Sequence, residues 1–286
     1  LGSDFNPNEK WRMYHGQTIP GFPSHPHCGF ETITIVNKGF CDHSDSLGAA
    51  GRFGKGDVQW MTAGRGVQHC EMFPLLKDDE ENTLELFQIW LNLPKAGKFV
   101  EPHFKMLWNE DIPIVEEENA KIKVVAGTYK DVDPIPPAPD SWAATQENEV
   151  AVWNIHVDAG SDYILPKASS SEVNRVLYFY EGDEIHITEK KINPTFGIVL
   201  DPTQDVNIKI GAENAHFMVL QGKPISEPVA KYGPFVMNTQ AEIQKVMENY
   251  RLTQFGGWPW PHPDNVHDKD KGRFALYPDG KLVEKS

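Results

Sequence analysis

Two pairs of metal-binding residue types lie in the first quarter of the chain. His25 and His27 form the first pair, and His69 and Glu71 form the second. Residues two apart on a β-strand point to the same face, so each pair can direct two ligand atoms towards one point. Three imidazoles and one carboxylate suit iron, manganese, nickel, copper or zinc. The spacing therefore predicts a metal site.

The residues around these pairs are typical of a small β-barrel. Short apolar runs such as residues 32–36 alternate with glycines, and the whole chain of 286 residues has 23 Gly and 22 Pro. Such a composition favours many turns and short strands over long helices. A barrel can bring distant strands face to face, so we expect the two pairs to meet inside one. The fold class predicted is all-β.

The strand pattern occurs twice, on either side of a proline-rich stretch at 131–140. Strands are predicted at 30–36, 40–44, 58–62, 67–73, 84–93 and 122–126, and then at 150–157, 176–180, 185–188, 197–200, 206–210 and 217–220. Residues 1–24 are expected to be an irregular lead-in and residues 94–120 to be loops. The repetition indicates an internal duplication.

The duplication predicts two barrels, of which only the first binds metal. Where the first histidine pair would recur, the chain has residues 166–171, and only His216 hints at the second pair. The domains expected are 1–132 with the metal site, 141–238 without metal ligands, and 239–286 as a helix and tail packed on the barrels.

One helix is predicted near the C-terminus. Thr239 and Glu242 form a capping box, in which each side chain bonds the other's backbone. Apolar residues then follow at helical spacing on one face: Ile243, Val246, Met247 and Tyr250. Such a stripe is typical of packing against a barrel.

Charge and cysteine content narrow the function classes. The net charge of −14 argues against direct nucleic-acid binding, because phosphate would be repelled. The three cysteines, Cys28, Cys41 and Cys70, are too few and odd in number for a disulfide framework, which favours a reducing compartment and a cytoplasmic location. No signal peptide or run of transmembrane length is evident, so no membrane partner is expected.

The metal pairs and their surrounding turns resemble the pirin family of the cupin superfamily. The resemblance covers roughly residues 20 to 255. It is carried by residues 25–32, 45–48, 56–66 with His69 and Glu71, 88–94, 227–230 and 232–239. The lead-in and the tail after Gly256 match no motif of the family.

The resemblance implies two cupin barrels with a metal only in the N-terminal one. It implies iron(II), held by the residues equivalent to His25, His27, His69 and Glu71; manganese, nickel, copper and zinc stay open from the ligand types. Some pirins cleave quercetin with dioxygen, and others are regulators that bind transcription factors or metabolic enzymes. Cys28 stands where the family usually has Arg and Cys70 where it usually has Ser, which weakens the inference of a partner surface.

Four protein ligands on an octahedral metal would leave two positions for a flavonol and dioxygen. Glu71 is the predicted catalytic residue, serving as ligand and as proton acceptor. Glu31 is a reserve ligand with a structural role expected. Gln59, Trp60 and Met61 are predicted to line the substrate pocket, with barrel packing as the alternative. Cys28 and Cys70 should point away from the metal as packing residues.

Three functional hypotheses follow. The first is an iron-dependent dioxygenase that opens a flavonol of the quercetin type, with a small aromatic molecule and O2 as its substrates. The second is a non-catalytic protein that senses metal or redox state and binds a transcription factor or metabolic enzyme. The third is a storage or structural cupin without turnover.

Overall fold

The computed structural model describes residues 2–6 and 20–286, which form two compact units. Unit 1 comprises Leu1–Asn109 together with Glu227–Ser286, and unit 2 comprises Glu110–Ser226. These bounds differ from the division expected between residues 132 and 141, which falls inside unit 2. The proline-rich stretch at that place is part of the fold, because Ala138 within it is fully buried.

Strands dominate the chain, as predicted. Unit 1 begins with β1 (Gly2–Phe5), β2 (Gly21–His27), β3 (Phe30–Lys38), β4 (Phe40–Asp45), β5 (Ala50–Gly54), β6 (Val58–Thr62), β7 (Val67–Met72), β8 (Asn82–Asn92) and β9 (His103–Leu107). Unit 2 contributes β10 (Ile114–Glu116), β11 (Ala120–Ala126), β12 (Ala151–Val157), β13 (Asp162–Leu165), β14 (Asn174–Glu181), β15 (Ile185–Ile187), β16 (Lys190–Ile192), β17 (Phe196–Val199), β18 (Val206–Ile210) and β19 (Ala215–Gly222). The chain returns to unit 1 with β20 (Ala230–Tyr232), β21 (Phe235–Met237), helix α1 (Gln240–Thr253), β22 (Arg273–Leu276) and β23 (Leu282–Lys285). Short 3-10 turns occur at Lys95–Gly97, Trp142–Ala144, Gln146–Asn148 and Gln254–Gly256.

The two units repeat the same strand order, which agrees with an internal duplication. Unit 1 has sheets ordered β1-β8-β3-β6-β9 and β2-β7-β4-β5-β22-β23. Unit 2 has sheets ordered β10-β11-β12-β19-β14-β17 and β13-β18-β15-β16. A constant offset of eleven strands converts β1-β8-β3-β6 into β12-β19-β14-β17 and β2-β7-β4-β5 into β13-β18-β15-β16.

This offset identifies the counterparts of the two strands that carry the metal-binding pairs. β13 corresponds to β2, and β18 corresponds to β7. The buried positions of these counterparts belong to the apolar core of unit 2: Tyr163, Leu165, Val206, Ile208 and Ile210. The counterpart of the first pair therefore lies on β13, at 162–165. The expectation that placed it at residues 166–171 was wrong by a few residues. His216 lies on β19, which corresponds to β8 and not to β7.

Several segments expected to be irregular form strands. The predicted lead-in contains β1 and the start of β2, and residues 7–19 of that prediction lie outside the described residues. The predicted loop at 94–120 contains β9, β10 and the first residue of β11. β9 pairs with β6, so the edge strand of one sheet comes from a segment whose three prolines favour a loop.

Helix α1 begins as predicted, with a capping box in which Thr239 and Glu242 bond each other's backbone. Its apolar face packs in a cluster with β20, β21 and the turn after β2. Ile243 and Val246 are buried there, and Met247 and Tyr250 are partly buried against the same cluster. The stripe is therefore packing, as expected.

After the helix, residues 257–271 form a segment that we call the C-terminal strap. Trp260 donates its indole N–H to the carbonyl of Asp45 at 2.7 Å, and Asn265 donates to the hydroxyl of Ser44 at 2.8 Å. The strap thus lies along the outer side of β4, within unit 1.

Candidate metal centre

Antiparallel pairing of β2 and β7 brings the two ligand pairs together. His25 lies opposite His69, and His27 lies opposite Val67. His25 and His27 share a face of β2, and His69 and Glu71 share a face of β7. The pairing register therefore places side chains separated by 44 positions in sequence within contact distance.

A glycine turn allows the chain to leave β2 directly after His27. Gly29 has φ +86°, and a Cβ at this position would lie 2.0 Å from the carbonyl oxygen of Val236. Only glycine fits this combination of backbone conformation and close approach. β3 can therefore begin at Phe30, where the chain enters the other sheet of unit 1.

The three histidines converge on one point. Each offers a ring nitrogen, and these nitrogens all lie within 4.8 Å of one another. The Nε2 atoms of His25 and His69 are 3.0 Å apart. Two imidazole ligands at right angles on a metal, each bound at about 2.1 Å, would also be about 3.0 Å apart. The spacing of this pair therefore fits a shared metal ion.

The hydrogen bonding of the rings also fits a metal. Nδ1 of His25 donates to the carbonyl of Pro23 at 2.8 Å, which leaves the lone pair on the Nε2 that faces His69. Both ring nitrogens of His27 and Nδ1 of His69 are buried and have no hydrogen-bond partner of normal geometry among the described residues, although the backbone carbonyl of Pro234 lies near His27. Unpaired buried nitrogens are unfavourable, and a bound cation would satisfy one nitrogen of His27, while His69 would bind the cation through the Nε2 that faces His25.

Burial keeps two of these rings neutral, which is the form that binds metal. It lowers the pKa of His27 to about 3, with the neighbouring His25 acting in the same direction. Burial also places the pKa of His69 well below its usual range, helped by the nearby histidines. A neutral imidazole offers its lone pair without first releasing a proton.

Glu71 lies beside this trio. Its Oε2 is 3.8 Å from Nε2 of His69. The hydroxyl of Thr34 donates to Oε1 at 3.1 Å, and the amide of Gln88 donates to Oε2 at 2.5 Å. Residues of β3 and β8 thus hold the carboxylate in place, while each oxygen keeps a further lone pair.

Glu31, the reserve ligand, is on the other face of β3. Successive side chains of a strand point to opposite faces, so Glu31 points away from the face of Thr32 and Thr34, and Thr34 contacts Glu71. Oε1 of Glu31 accepts hydrogen bonds from Trp60 Nε1 at 3.1 Å and Thr62 Oγ1 at 2.7 Å. This fully buried carboxylate has the structural role that was expected for it.

The three predicted pocket residues separate onto two faces of β6. Trp60 is fully buried on the face of Glu31, away from the histidines, which removes it from the pocket. Gln59 and Met61 are opposite Thr34 and Thr32 on β3, so they share the face of the metal centre. Pocket lining by these two residues stays a prediction.

Several polar residues of the centre were not singled out from sequence. Gln88 and Thr34 support Glu71, and His43 extends the histidine cluster, with its ring 5.4 Å from that of His69. Nε2 of His43 is 3.2 Å from Asp45, and its Nδ1 is 3.4 Å from the amide nitrogen of Gln59. Nothing in the sequence spacing of Thr34, His43 and Gln88 distinguishes them from other strand residues. Their place in the centre follows only from how β3, β4 and β8 are arranged in the fold.

Aromatic side chains border the histidines where the centre meets solvent. The ring of Trp90 is 5.4 Å from that of His27, and the side chain is 42% exposed. The ring of Phe22 is 6.3 Å from that of His25, and this residue is 52% exposed. The signal available in the sequence was the i, i+2 spacing of Gln88 and Trp90 on a long strand.

The cysteines are buried and free. Cys28 packs among residues of α1 and β21, and Cys70 faces the carbonyl of Asn265 in the strap. Burial raises the pKa of each of these two thiols to about 12. Both therefore stay protonated at neutral pH and point away from the histidines, as expected for packing residues.

The fold and the site define an all-β protein with a repeated barrel and, among the residues that the structure describes, one three-histidine centre. The family model described as Pirin matches residues 2–91, and the model described as Pirin C-terminal cupin domain matches residues 152–256. No helix in the described part of the chain is long and apolar enough to cross a membrane.

Relatives agree with these matches. Pirin-like protein 2 of Arabidopsis thaliana is 35% identical over 249 residues, covering 82% of this chain and 71% of its own. Pirin of Homo sapiens is 32% identical over 251 residues, covering 85% and 80%. A crystal structure of quercetin 2,3-dioxygenase from Acinetobacter baumannii superposes with a TM-score of 0.76 at 30% identity, covering 90% of this chain and 84% of that one. This chain belongs to the pirin family, and the expected all-β fold with two cupin domains is confirmed.

Proposed function

We propose that this protein is an iron-dependent dioxygenase that opens a flavonol of the quercetin type with O2. The observation that carries the proposal is the convergence of His25, His27 and His69 beside the carboxylate of Glu71, at a place bordered by exposed aromatic rings. The 30% identical structure named quercetin 2,3-dioxygenase supports the substrate class.

The three histidines and Glu71 would hold the metal. Iron(II) bound there would supply open coordination positions for a flavonol and dioxygen, and the flavonol itself would be the reductant of the dioxygen. Manganese, nickel, copper and zinc suit the same donor atoms, so the identity of the metal rests on the reaction proposed.

Glu71 would accept the hydroxyl proton of the flavonol. Its two oxygens are held by Thr34 and Gln88, so the carboxylate is oriented before substrate arrives. A carboxylate is a competent base for an acidic phenolic or enolic hydroxyl when the two are within hydrogen-bond reach.

Exposed aromatic residues would position the flat rings of the substrate. Trp90 and Phe22 offer ring faces or edges on either side of the histidines. The ammonium group of Lys231 lies 5.2 Å from the ring centroid of Trp90, so its positive charge would favour a deprotonated flavonol. These contacts account for an aromatic, acidic small molecule as substrate.

The alternative is a regulatory protein that binds metal without turnover and docks on a transcription factor or a metabolic enzyme. Both functions need the same ligands, so metal binding alone does not separate them. We also propose a reducing, cytoplasmic location, which the three free cysteines support.

Oxygen uptake by two matched variants tests the proposal. The protein is loaded anaerobically with Fe(II), quercetin is added, and uptake is followed together with loss of the flavonol absorbance. Glu71→Gln should lower turnover about 100-fold or more, because it removes both a ligand and a base. Glu31→Gln, which changes a buried carboxylate on the opposite face, should keep the turnover of its folded fraction.

Stoichiometric iron binding without oxygen uptake in the unaltered protein would contradict the dioxygenase and favour the regulator. Equal loss of turnover in Glu71→Gln and in the folded fraction of Glu31→Gln would contradict the role given to Glu71.

A further inference from the structure

A second pair of histidines lies on unit 2, apart from the centre described above. His156 on β12 and His216 on β19 are directly opposite each other in adjacent antiparallel strands. Their ring centroids are 4.5 Å apart, and Nδ1 of His156 is 3.1 Å from Nε2 of His216. Directly opposite residues share one face of a sheet, so both rings point to the same side.

The geometry of this pair is close to that of His25 and His69. Their nitrogen–nitrogen distances are 3.1 Å and 3.0 Å, and both match two neighbouring ligands of a metal bound at about 2.1 Å. A cation between the two rings of the second pair would take the place of the proton that they now share.

A carboxylate prepares His156 for this role. Its Nε2 is 3.3 Å from Oδ1 of Asp158. A carboxylate only accepts hydrogen bonds, so the Nε2 that faces it carries the proton, and Nδ1 presents a lone pair towards His216. Metal-ligating histidines commonly have such a partner, which fixes the tautomer and makes the imidazole more basic.

The surroundings favour a cation that can be reached from solvent. The side chain of His156 is 31% exposed and that of Asp158 is 60% exposed. Glu181 on β14 is the register partner of His216 on its other side. Lys121, the register partner of His156 on β11, lies 3.1 Å from Glu116, so its charge is already compensated.

We propose that His156 and His216 form a second binding site for a divalent metal ion of the zinc, nickel or copper type. Two imidazoles supply the ligands, water completes the coordination, and Asp158 orients one ring. Imidazole nitrogens prefer these borderline ions over magnesium or calcium. The site does not depend on the function proposed for unit 1.

Equilibrium dialysis of the full-length protein against Zn(II) tests this site. The unaltered protein should bind two equivalents, one in each unit. His156→Gln and His216→Gln should each bind one. In a His69→Ala background the second site should keep its equivalent, so failure of the first centre and failure of the second give different results.

Two further variants separate a built site from adventitious binding. His186→Gln is the matched control, because His186 also faces a carboxylate, Glu184 at 3.4 Å, but its register partners are Lys191 and Lys209 and not a second histidine. It should leave both equivalents bound. Asp158→Asn should weaken the second equivalent about tenfold or more, since partners that orient metal ligands typically contribute that much.

Binding of a single equivalent that is lost in His69→Ala would overturn the proposal, because the only occupied site would then be the centre of unit 1. So would an unchanged stoichiometry in both His156→Gln and His216→Gln. Circular dichroism of each variant confirms that lost binding does not reflect lost folding, and His156 is exposed enough for its replacement to leave the core intact.

Discussion

The buried ion pair of Arg52 and Asp42 should be the main attachment of the C-terminal strap. Both side chains are fully buried, and they form a bidentate pair with Nε–Oδ1 and Nη2–Oδ2 distances of 2.7 and 2.8 Å. The same guanidinium donates to backbone carbonyls of the strap, those of His267, Asp268, Lys269 and Lys271. We therefore predict that Arg52→Met destabilises unit 1 and releases the strap.

The expected magnitude follows from what the substitution leaves behind. Removing one member of a buried pair leaves an uncompensated buried charge and typically costs about 3 to 5 kcal/mol. Without the guanidinium, Asp42 would still accept a hydrogen bond from the backbone N–H of His267, at 2.9 Å. The strap carbonyls that lose the guanidinium can form hydrogen bonds with water once the strap detaches, so they add less to the loss of stability. We expect a loss of about 3 kcal/mol or more in the free energy of unfolding.

Urea unfolding followed by tryptophan fluorescence measures this loss, since Trp258 and Trp260 lie in the strap. Limited proteolysis should show new cleavage between residues 257 and 271. The matched control is Arg65→Met, whose partner Glu101 lies 2.9 Å away with both side chains exposed, at 60% and 72%. Exposed pairs contribute about 0 to 1 kcal/mol. Equal losses in Arg52→Met and Arg65→Met, or an uncut strap, would refute the reasoning.

Three further predictions concern the centre and the thiols. Burial lowers the pKa of the His27 imidazole from 6.5 to about 3. Between pH 6.5 and pH 3 the imidazole is therefore protonated in the unfolded chain but not in the folded one. The metal-free protein should lose stability as the pH falls below 6.5. His27→Gln should remove about 2 kcal/mol of the loss between pH 7 and pH 5 in urea unfolding, and an identical loss in both proteins would contradict this. Trp90→Ala should weaken quercetin binding by about 2-fold to 10-fold in a fluorescence titration, whereas Phe196→Ala, an exposed aromatic of unit 2, should leave it unchanged. Cys28 and Cys70, with pKa values of about 12, should resist iodoacetamide at pH 8 in the native protein and react after denaturation; rapid native labelling would argue against their burial.

The two candidate ligand pairs were predictable because each depends on local spacing. Alternation along a strand puts His25 with His27 and His69 with Glu71, whatever the rest of the chain does. The turn glycines that end the strands are equally local. The supports of Glu71 were not predictable. Thr34 and Gln88 are opposite each other on β3 and β8, in one sheet, and they reach Glu71 only because that sheet packs against the sheet of β7.

The unit boundaries and the strap depend on long-range packing in the same way. Proline content marks residues 131–140 as a linker, yet Ala138 is buried there, so the segment belongs to a core. The strap has the polar, turn-rich composition of a surface arm. Arg52, a residue more than two hundred positions earlier, holds it in place, because its guanidinium donates to four backbone carbonyls of the strap.

Labelled oxygen gives the most direct test of the central claim, that the histidine centre of unit 1 supports a dioxygenase. The Fe(II)-loaded protein is supplied with quercetin under ¹⁸O₂, and the products are analysed by mass spectrometry beside those of His69→Ala. We predict that both labelled oxygen atoms enter the cleaved product and that the variant yields none. Unchanged quercetin, or unlabelled products formed equally by both proteins, would contradict the account.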